Sequence, residues 1–206
     1  MTWETHTSEG FYWLGFLYAD GYFHQRREGS SKASCVVLQL KGEDVDHVRS
    51  FTKFIGSERP VYELDNNGFP AVRVDIYKGA DDLIDNLREV YGLTLRPKHL
   101  LFDEIPEQFR WDLLRGFLDG DGSVIWKDRT VKALQWFGEE EMIRAIKSYI
   151  NQLVPPLVVK RIKADPTKLK NGYVFRVEGK RAAVLHTLLC KETDFCLERK
   201  WKKEAA

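Results

Sequence analysis

The chain carries the segment WLGFLYADG at residues 13–21 and a second copy, LRGFLDGDG, at residues 114–122. Asp20 and Asp121 stand at the same step of the two copies and are 101 residues apart, about half of the 206-residue chain. Two fainter echoes follow in the same order, residues 38–44 with 134–140 and residues 96–98 with 198–200. Three echoes in one order indicate an internal duplication.

Each half shows the pattern of a helix, two strands, a helix, two strands and a helix. Apolar spacing, acids at helix starts and Gly or Asn-Gly turn signals support this pattern, and Gly21 is of the type that ends helices. The first half has predicted helices at 9–20, 43–55 and 81–91 and strands at 22–27, 33–41, 61–64 and 71–77, the last two around a turn at 65–68. The second half has predicted helices at 107–120, 139–153 and 180–189 and strands at 123–127, 131–137, 158–163 and 173–177.

These elements predict an α+β fold of two pseudo-symmetric αββαββα halves, with the strands forming a β-saddle and the helices behind it. The halves span residues 1–95 and 107–206, and a proline-containing connector at 96–106 joins them. Hydrophobic residues make up 43% and charged residues 31% of the chain, which is sufficient for a real core. No apolar run approaches the length of a membrane span, so we expect a soluble, unprocessed protein with no membrane partner.

The charge and cysteine content restrict the function classes further. Cys35, Cys190 and Cys196 form no Cys-x-x-Cys pair, so neither a disulfide framework nor a zinc site is supported, and a reducing compartment is expected. The net charge of +1 argues against a polyanionic partner. However, acids cluster in the predicted helices and basic residues in the strands and hairpins. This separation predicts a basic open face, although exposed strands can also simply be charged.

The two motif copies place small residues one helical turn apart, Gly15 with Ala19 and Gly116 with Gly120. Packing these faces together would bring the helix ends, and therefore Asp20 and Asp121, close to each other. Two carboxylates at two negative helix ends repel unless cations neutralise them. Carboxylate oxygens and the backbone carbonyls of Ala19 and Gly120 are ligands that suit Mg²⁺, which can activate water for attack on a phosphate.

A simpler interpretation is a tight helix pair in which the two acids only end their helices as Asp-Gly turns. For one copy alone that interpretation would be preferred, but the acid recurs at the same step in both copies, which favours a metal site. Asp119 has Tyr18 as its counterpart, so we predict that Asp119 caps or hydrogen-bonds locally.

At these residues the sequence resembles the LAGLIDADG homing endonucleases of the single-chain type, in which each of two halves carries one motif. The resemblance covers nearly the whole chain, and Tyr18 departs from the usual acid. It implies that strands lie in the major groove of DNA and that Asp20 and Asp121 bind divalent metal beside the scissile phosphates. The family also places a lysine beside each active site, here Lys98 and Lys200, 78 and 79 residues after the acids.

The resemblance further implies water-positioning roles for Gln39 and Gln135, with Lys41 a rival for the first. Alternation from the motif outward predicts base-reading side chains on the first strand of each half. These are Tyr22, His24 and Arg26 in the first half and Ser123, Ile125, Lys127 and Arg129 in the second. Other predicted DNA contacts, mostly for phosphate anchoring, are Arg73, Lys160, Arg161, Lys163 and Arg176.

The predicted function is a monomeric, magnesium-dependent endonuclease that makes a staggered cut in a long, specific double-stranded DNA target. The gene is expected to lie within an intron, although an intein or a free-standing gene is also open. We expect a cytoplasmic protein of bacterial, archaeal or phage origin, and location in an organelle is left open. The alternatives are a non-cleaving nucleic-acid binder on the same scaffold, such as an intron RNA maturase or a regulator, and a plain interaction module without DNA affinity.

Overall fold

A computed structural model describes residues 6–25, 33–91, 102–153, 163–164, 172–190 and 195–201. Four of the predicted site residues lie outside these ranges: Arg26, Lys98, Lys160 and Arg161. Lys163 is described by its backbone alone.

The first half contains all seven predicted elements. Its helices are α1 (Ser8–Asp20), α2 (Val45–Phe54) and α3 (Ala80–Tyr91), and its strands are β1 (Gly21–His24), β2 (Cys35–Lys41), β3 (Tyr62–Asn66) and β4 (Phe69–Ile76). The strands form one antiparallel sheet in the order β1-β2-β4-β3. The predicted four-residue turn at 65–68 is only two residues long, because Asn67 and Gly68 take positive φ angles of 55° and 85°. Such a pair favours the tightest hairpin, so both strands extend toward the turn.

The second half repeats this plan. Its helices are α4 (Arg110–Asp121), α5 (Glu140–Leu153) and α6 (Lys180–Leu189), and its strands are β5 (Gly122–Lys127), β6 (Thr130–Gly138), β7 (Lys163–Ala164) and β8 (Tyr173–Glu178). Their sheet has the equivalent order β5-β6-β8-β7. A short helix that was not predicted, α7 (Glu198–Trp201), follows α6. The α+β fold of two equivalent halves is therefore confirmed.

The two motif helices pack directly on each other through their glycines. A Cβ atom on Gly116 would lie 2.8 Å from the carbonyl carbon of Tyr12, and one on Gly15 would lie 3.0 Å from that of Leu113. Tyr12 and Leu113 occupy equivalent positions in the two helices, so the contact is reciprocal, as around a two-fold axis. The backbones approach so closely that no side chain larger than hydrogen fits at either glycine.

Gly21 ends α1 for a different reason than the sequence suggests. Its φ of −70° and ψ of 143° are extended, so the residue is not a left-handed helix cap. A Cβ atom there would lie 2.5 Å from the carbonyl oxygen of Leu17, and one on Gly122 would lie 2.5 Å from that of Leu118. The glycine after each motif acid is therefore required because the chain turns from helix into strand against the helix's own last turn.

The inner faces of the sheets and the apolar faces of the helices form one buried cluster. Val36, Leu38 and Val74 contribute from the first sheet, and Leu134, Trp136 and Phe175 from the second. Phe102, in the predicted connector, is also buried in this cluster, so the end of the connector packs into the core. Among the described helices, none has the length and apolar content needed to cross a membrane.

Candidate metal and nucleic-acid site

The carboxylates of Asp20 and Asp121 lie at the ends of the two packed motif helices. Each acid is the last residue of its helix, α1 or α4. A Cβ atom on Gly120 would overlap the Cβ of Ala19, so these two residues touch across the helix interface. Asp20 is exposed and Asp121 is half-buried. The packing thus brings both acids to one end of the helix pair, as the duplicated spacing predicts.

The oxygen atoms at this end of the helix pair are suitable ligands for a hard divalent cation. Carboxylates and terminal backbone carbonyls are oxygen ligands, and helix C-termini carry partial negative charge. No cluster of three or more His, Cys, Asp or Glu that could enclose a metal occurs within the described residues. Two carboxylates with carbonyl groups therefore make an open site, which suits Mg²⁺ because this ion keeps several waters.

Lys200 lies at the same helix end, where its ammonium group contacts backbone carbonyl oxygens. Its Nζ donates to the carbonyls of Leu118 at 3.0 Å, Gly120 at 3.2 Å and Gly122 at 2.9 Å, and also to that of Asp119. Burial lowers the pKa of the ammonium group, while Asp119 and, more weakly, Asp20 oppose this effect. The matched spacing identified the right place for Lys200, but it gave no indication that the ammonium caps α4.

Lys200→Met is expected to lower both stability and cleavage. The substitution leaves several carbonyls of a buried helix end without their donor, which should cost about 2 kcal/mol or more of unfolding free energy. Cutting of one strand should slow by orders of magnitude, because a cation beside the phosphates is lost. Denaturant unfolding and strand-resolved cleavage measure the two effects. Lys180→Met, which replaces an exposed lysine at the start of α6, is the control. Unchanged stability of Lys200→Met would contradict the capping role.

Asp119 is a buried hydrogen-bonding group, but the prediction that it bonds locally is wrong, because its partners are distant in the chain. Its carboxylate accepts hydrogen bonds from the hydroxyl of Tyr12 at 2.8 Å, the backbone N–H of Leu197 at 2.7 Å and the indole of Trp201 at 2.5 Å. Burial raises the pKa of this carboxyl to about 6. Asp119 therefore ties α4 both to α1 and to the C-terminal segment that carries Lys200.

The same segment also binds the first half. Arg199 donates to the buried carboxylate of Asp44 through Nε at 2.8 Å and Nη2 at 3.0 Å. His47 of α2 lies 2.9 Å from the hydroxyl of Tyr12, and burial lowers its pKa to about 4, so the ring is neutral at pH 7. Residues 195–201 thus brace both halves, which the sequence did not indicate because the partners are 155 residues apart for Arg199 and Asp44.

Acidic groups surround Tyr18, the counterpart of Asp119. Burial raises the pKa of this phenol, and the negative charges of Glu139, Asp121 and Glu141 raise it further. Glu139 and Glu141 lie at the junction of β6 and α5. The environment of Asp121 is therefore more acidic than the two motifs alone suggest.

Gln39 and Gln135 both lie on the outer face of their sheets but at different distances from the motif. Leu38 pairs with Gly21 in the first sheet, so Gln39 lies beside the end of α1. In the second sheet Gly122 pairs with Trp136, and Gln135 faces Ser123. The sequence echo aligned the two glutamines, whereas the strand register makes Phe137 the equivalent of Gln39.

The outer faces of the two sheets carry acidic as well as basic side chains, so the predicted separation of charge is incomplete. Arg73 pairs with Asp75 at 2.7 Å, and Arg176 pairs with Glu178 at 2.5 Å. Both acids follow their arginine by two residues on the same strand, and this spacing places their side chains on one face. The arginine-x-acid spacing was the signal that could have revealed Asp75 and Glu178.

The first strands only partly follow the predicted alternation. Tyr22 and Lys127 are exposed, and Ser123 and Ile125 are half-buried. His24 is half-buried, and its Nε2 has no hydrogen-bond partner among the described residues. The placement of Arg129 was wrong: it lies in the turn after β5 with a φ of 57°, because the strand ends at Lys127. A bulge between Ile125 and Trp126 shifts the register there.

His186 and Cys190 lie close together, with 3.4 Å between Nε2 and Sγ. His186 also contacts the rings of Trp126 and Trp201 at centroid distances of 5.2 Å. The group thus lies at an aromatic, mostly apolar helix end.

Comparison with known proteins identifies the fold. The homing endonuclease I-WcaI bound to its DNA recognition sequence matches with a TM-score of 0.64 and 16% identity, over 100% of this chain and 89% of that chain. The LAGLIDADG meganuclease I-AabMI bound to uncleaved DNA matches with a TM-score of 0.58 and 11% identity, over 92% and 86%. Mesophilic variants of I-DmoI match with a TM-score of 0.56 and 14% identity, over 89% of both chains.

The chain has the LAGLIDADG homing endonuclease fold. No family model matches the sequence, and no curated protein matches it either. I-DmoI has been crystallised with DNA and Ca and with DNA and Mn. Because the identities are low, these comparisons bear on the fold, and they support the resemblance that the two motifs indicate.

Proposed function

We propose that this protein is a site-specific, metal-dependent DNA endonuclease that makes a staggered double-strand cut in a long target. The observation that carries the proposal is the reciprocal packing of α1 and α4, which brings Asp20 and Asp121 to one end of the helix pair. Both acids belong to one chain, so a monomer is sufficient to act on both strands. We assign residues 1–95 and 107–206 to the two halves.

The chain's own groups have separate tasks in this mechanism. Asp20 and Asp121, with the carbonyls of Ala19 and Gly120, would hold the divalent ions, which we propose to be Mg²⁺. A bound divalent ion lowers the pKa of water and stabilises negative charge on phosphate and leaving oxygens. The Lys200 ammonium would add a fixed positive charge at the same helix end, and Gln39 would orient water beside Asp20.

The outer faces of the two sheets are proposed to contact the DNA. Tyr22, Arg73 and Lys127 are examples of aromatic and basic side chains that these faces present. Mixed polar, aromatic and basic groups are the chemistry that reads base edges in the major groove. The acids that pair with the arginines offset their positive charge. A chain with a net charge of +1 can therefore still present arginine hydrogen-bond donors to DNA.

The salt dependence of DNA affinity tests whether these faces bind the backbone. Each neutralised phosphate releases counterions, so log affinity should fall steeply and linearly with log salt, with a slope of roughly −0.9 for each phosphate contact. For DNA selected from a randomised pool, we expect a slope that is as steep as about −4 or steeper. A flat slope would contradict DNA binding and favour an interaction module.

Incubating the selected DNA with Mg²⁺ then tests the activity itself. We expect both strands to be cut at fixed, staggered positions, and chelation of the metal should abolish cutting. Tight, specific binding without cutting in Mg²⁺ or Mn²⁺ would instead support the non-cleaving binder. We also propose a cytoplasmic location, because nothing in the mechanism needs another compartment.

A further inference from the structure

A cluster of glutamine, arginine and acid lies on the outer face of the first sheet. Arg73 faces Gln39 across the β2–β4 ladder, and its Nη1 lies 3.5 Å from Gln39 Oε1. Its Nε and Nη2 lie 2.8 Å and 2.7 Å from Asp75 Oδ1. Tyr62 donates its hydroxyl hydrogen to the other oxygen of Asp75. The guanidinium is therefore held from one side by an acid that is itself held in place.

The same three residue types recur in the second sheet. Arg176 faces Gln135 across the β6–β8 ladder, and its Nε donates to Glu178 Oε1 at 2.5 Å. The side chain of Arg176 is 42% exposed and that of Arg73 is 35% exposed, so both can reach a ligand. We call these two sets the Gln–Arg–acid clusters.

Stability alone gives little reason for such pairs. An ion pair whose arginine is partly exposed to solvent is screened and contributes little to folding, roughly 0–1 kcal/mol. Its larger effect is to restrict a flexible arginine before any ligand arrives, which reduces the entropy lost on binding. Asp75 engages two of the five N–H groups of Arg73, and those that remain are sufficient for a bidentate contact. Guanine O6 and N7 in the major groove accept such a contact.

The two clusters do not occupy equivalent positions, because the strand registers differ. Counted from the motif glycine, Gln39 lies one residue toward the helix from the Gly21–Leu38 pair. Gln135 faces Ser123 and thus lies one residue beyond the pair that Gly122 forms with Trp136. The second cluster is therefore displaced outward by two residues, and Arg176 takes the place that Asp75 holds in the first sheet.

This displacement sets a distance along a bound duplex. Two strand residues span about 7 Å, and base pairs of B-DNA rise about 3.4 Å each. Building on the proposed DNA-binding function, we propose that Arg73 and Arg176 each specify one guanine and that the guanine read by Arg176 lies about two base pairs farther from the centre of the target. Asp75 and Glu178 are the positioning residues of these contacts.

The test compares base preferences of the full chain and five variants. DNA is selected by binding from a randomised pool in Ca²⁺, and the centre of each site is taken from its footprint. The variants are Arg73→Lys, Arg176→Lys, Asp75→Asn, Glu178→Gln and, as the control, Arg144→Lys. Arg144 pairs with Glu140 on α5, away from the sheet faces, so its replacement makes the same arginine-to-lysine change in a similar ion pair without touching either cluster.

We expect the wild type to prefer guanine at two positions that lie at different distances from the centre of the target. Arg73→Lys should reduce the preference on the order of 10-fold at the inner position alone, and Arg176→Lys at the outer position alone. Asp75→Asn should weaken the inner preference while the thermal midpoint stays unchanged, a result that a purely structural role would not produce. Arg144→Lys should leave both preferences intact.

Three results would overturn the inference. Guanines equidistant from the centre would exclude the displacement of about two base pairs. Base preferences that none of the four cluster variants changes would exclude Arg73 and Arg176 as the residues that read guanine. Neither result would harm the proposed function, because specific binding would persist. Failure of the wild type to bind any DNA in the pool would remove both proposals together.

Discussion

Asp20→Asn and Asp121→Asn are each expected to reduce the rate of DNA cleavage on the order of 1000-fold, because an amide lacks the charge that holds a divalent ion. Binding should be retained or slightly strengthened. The amide keeps the size of the side chain, and it removes a negative charge from the end of a helix that faces phosphates. Both acids lie at helix ends outside the apolar core, so the fold should tolerate the change.

Two measurements separate binding from catalysis in these variants. Affinity is measured by gel shift in Ca²⁺, and the cleavage of each strand is followed in Mg²⁺. Asp82→Asn, which removes an exposed acid from the first turn of α3, controls for the change in net charge. Normal cutting by either motif variant would exclude that acid from the metal site, and an equal loss of binding would mean that the acid acts in docking.

Gly116→Ala is expected to destabilise the protein by about 3 kcal/mol or more, because the new methyl group would overlap the backbone of Tyr12. The sign of the effect is decisive. In an exposed helix the same change stabilises by roughly 1 kcal/mol, since alanine is the better helix former. Here the neighbouring atoms belong to the backbone of Tyr12 and Phe16 and cannot rotate away, so the helices would have to separate.

Denaturant unfolding of four proteins gives the measurement. Gly116→Ala is compared with the wild type and with Gln152→Ala, an exposed position on α5. Gly15→Ala, at the equivalent site, should give a loss of similar size because the contact is reciprocal. Stabilisation by either glycine variant would show that the two motif helices do not pack as described.

Much of the fold followed from local patterns in the sequence. The duplicated motif located α1 and α4, and alternation and turn residues located seven of the eight strands to within two or three residues. These patterns report local periodicity, which a single stretch of chain carries by itself. Errors arose where local chemistry had a second solution, as at Asn67-Gly68, where a tighter hairpin lengthened both strands.

The candidate site divides in the same way. The sequence predicted Asp20 and Asp121 as its two acids, because repetition of an acid at one step is visible without coordinates. It also located Lys200 near the second motif, although it did not reveal that the ammonium caps α4. The pairing of Asp75 with Arg73 could have been predicted, because residues two apart on a strand lie on the same face. It was missed because basic residues predominate on the strands.

The sequence by itself determined a duplicated α+β chain with one acid at the end of each motif helix, because helix and strand periods and repeats are properties of neighbouring residues. Only the tertiary structure decided which residues of the two halves are equivalent. Strand register depends on hydrogen bonds between segments distant in the chain, and a shift of two residues keeps every side chain on the same face. The alternation of the sequence therefore could not distinguish Gln135 from Phe137 as the counterpart of Gln39. The same limit hid the brace formed by residues 195–201, whose partners Asp44 and Asp119 meet only once both halves have folded.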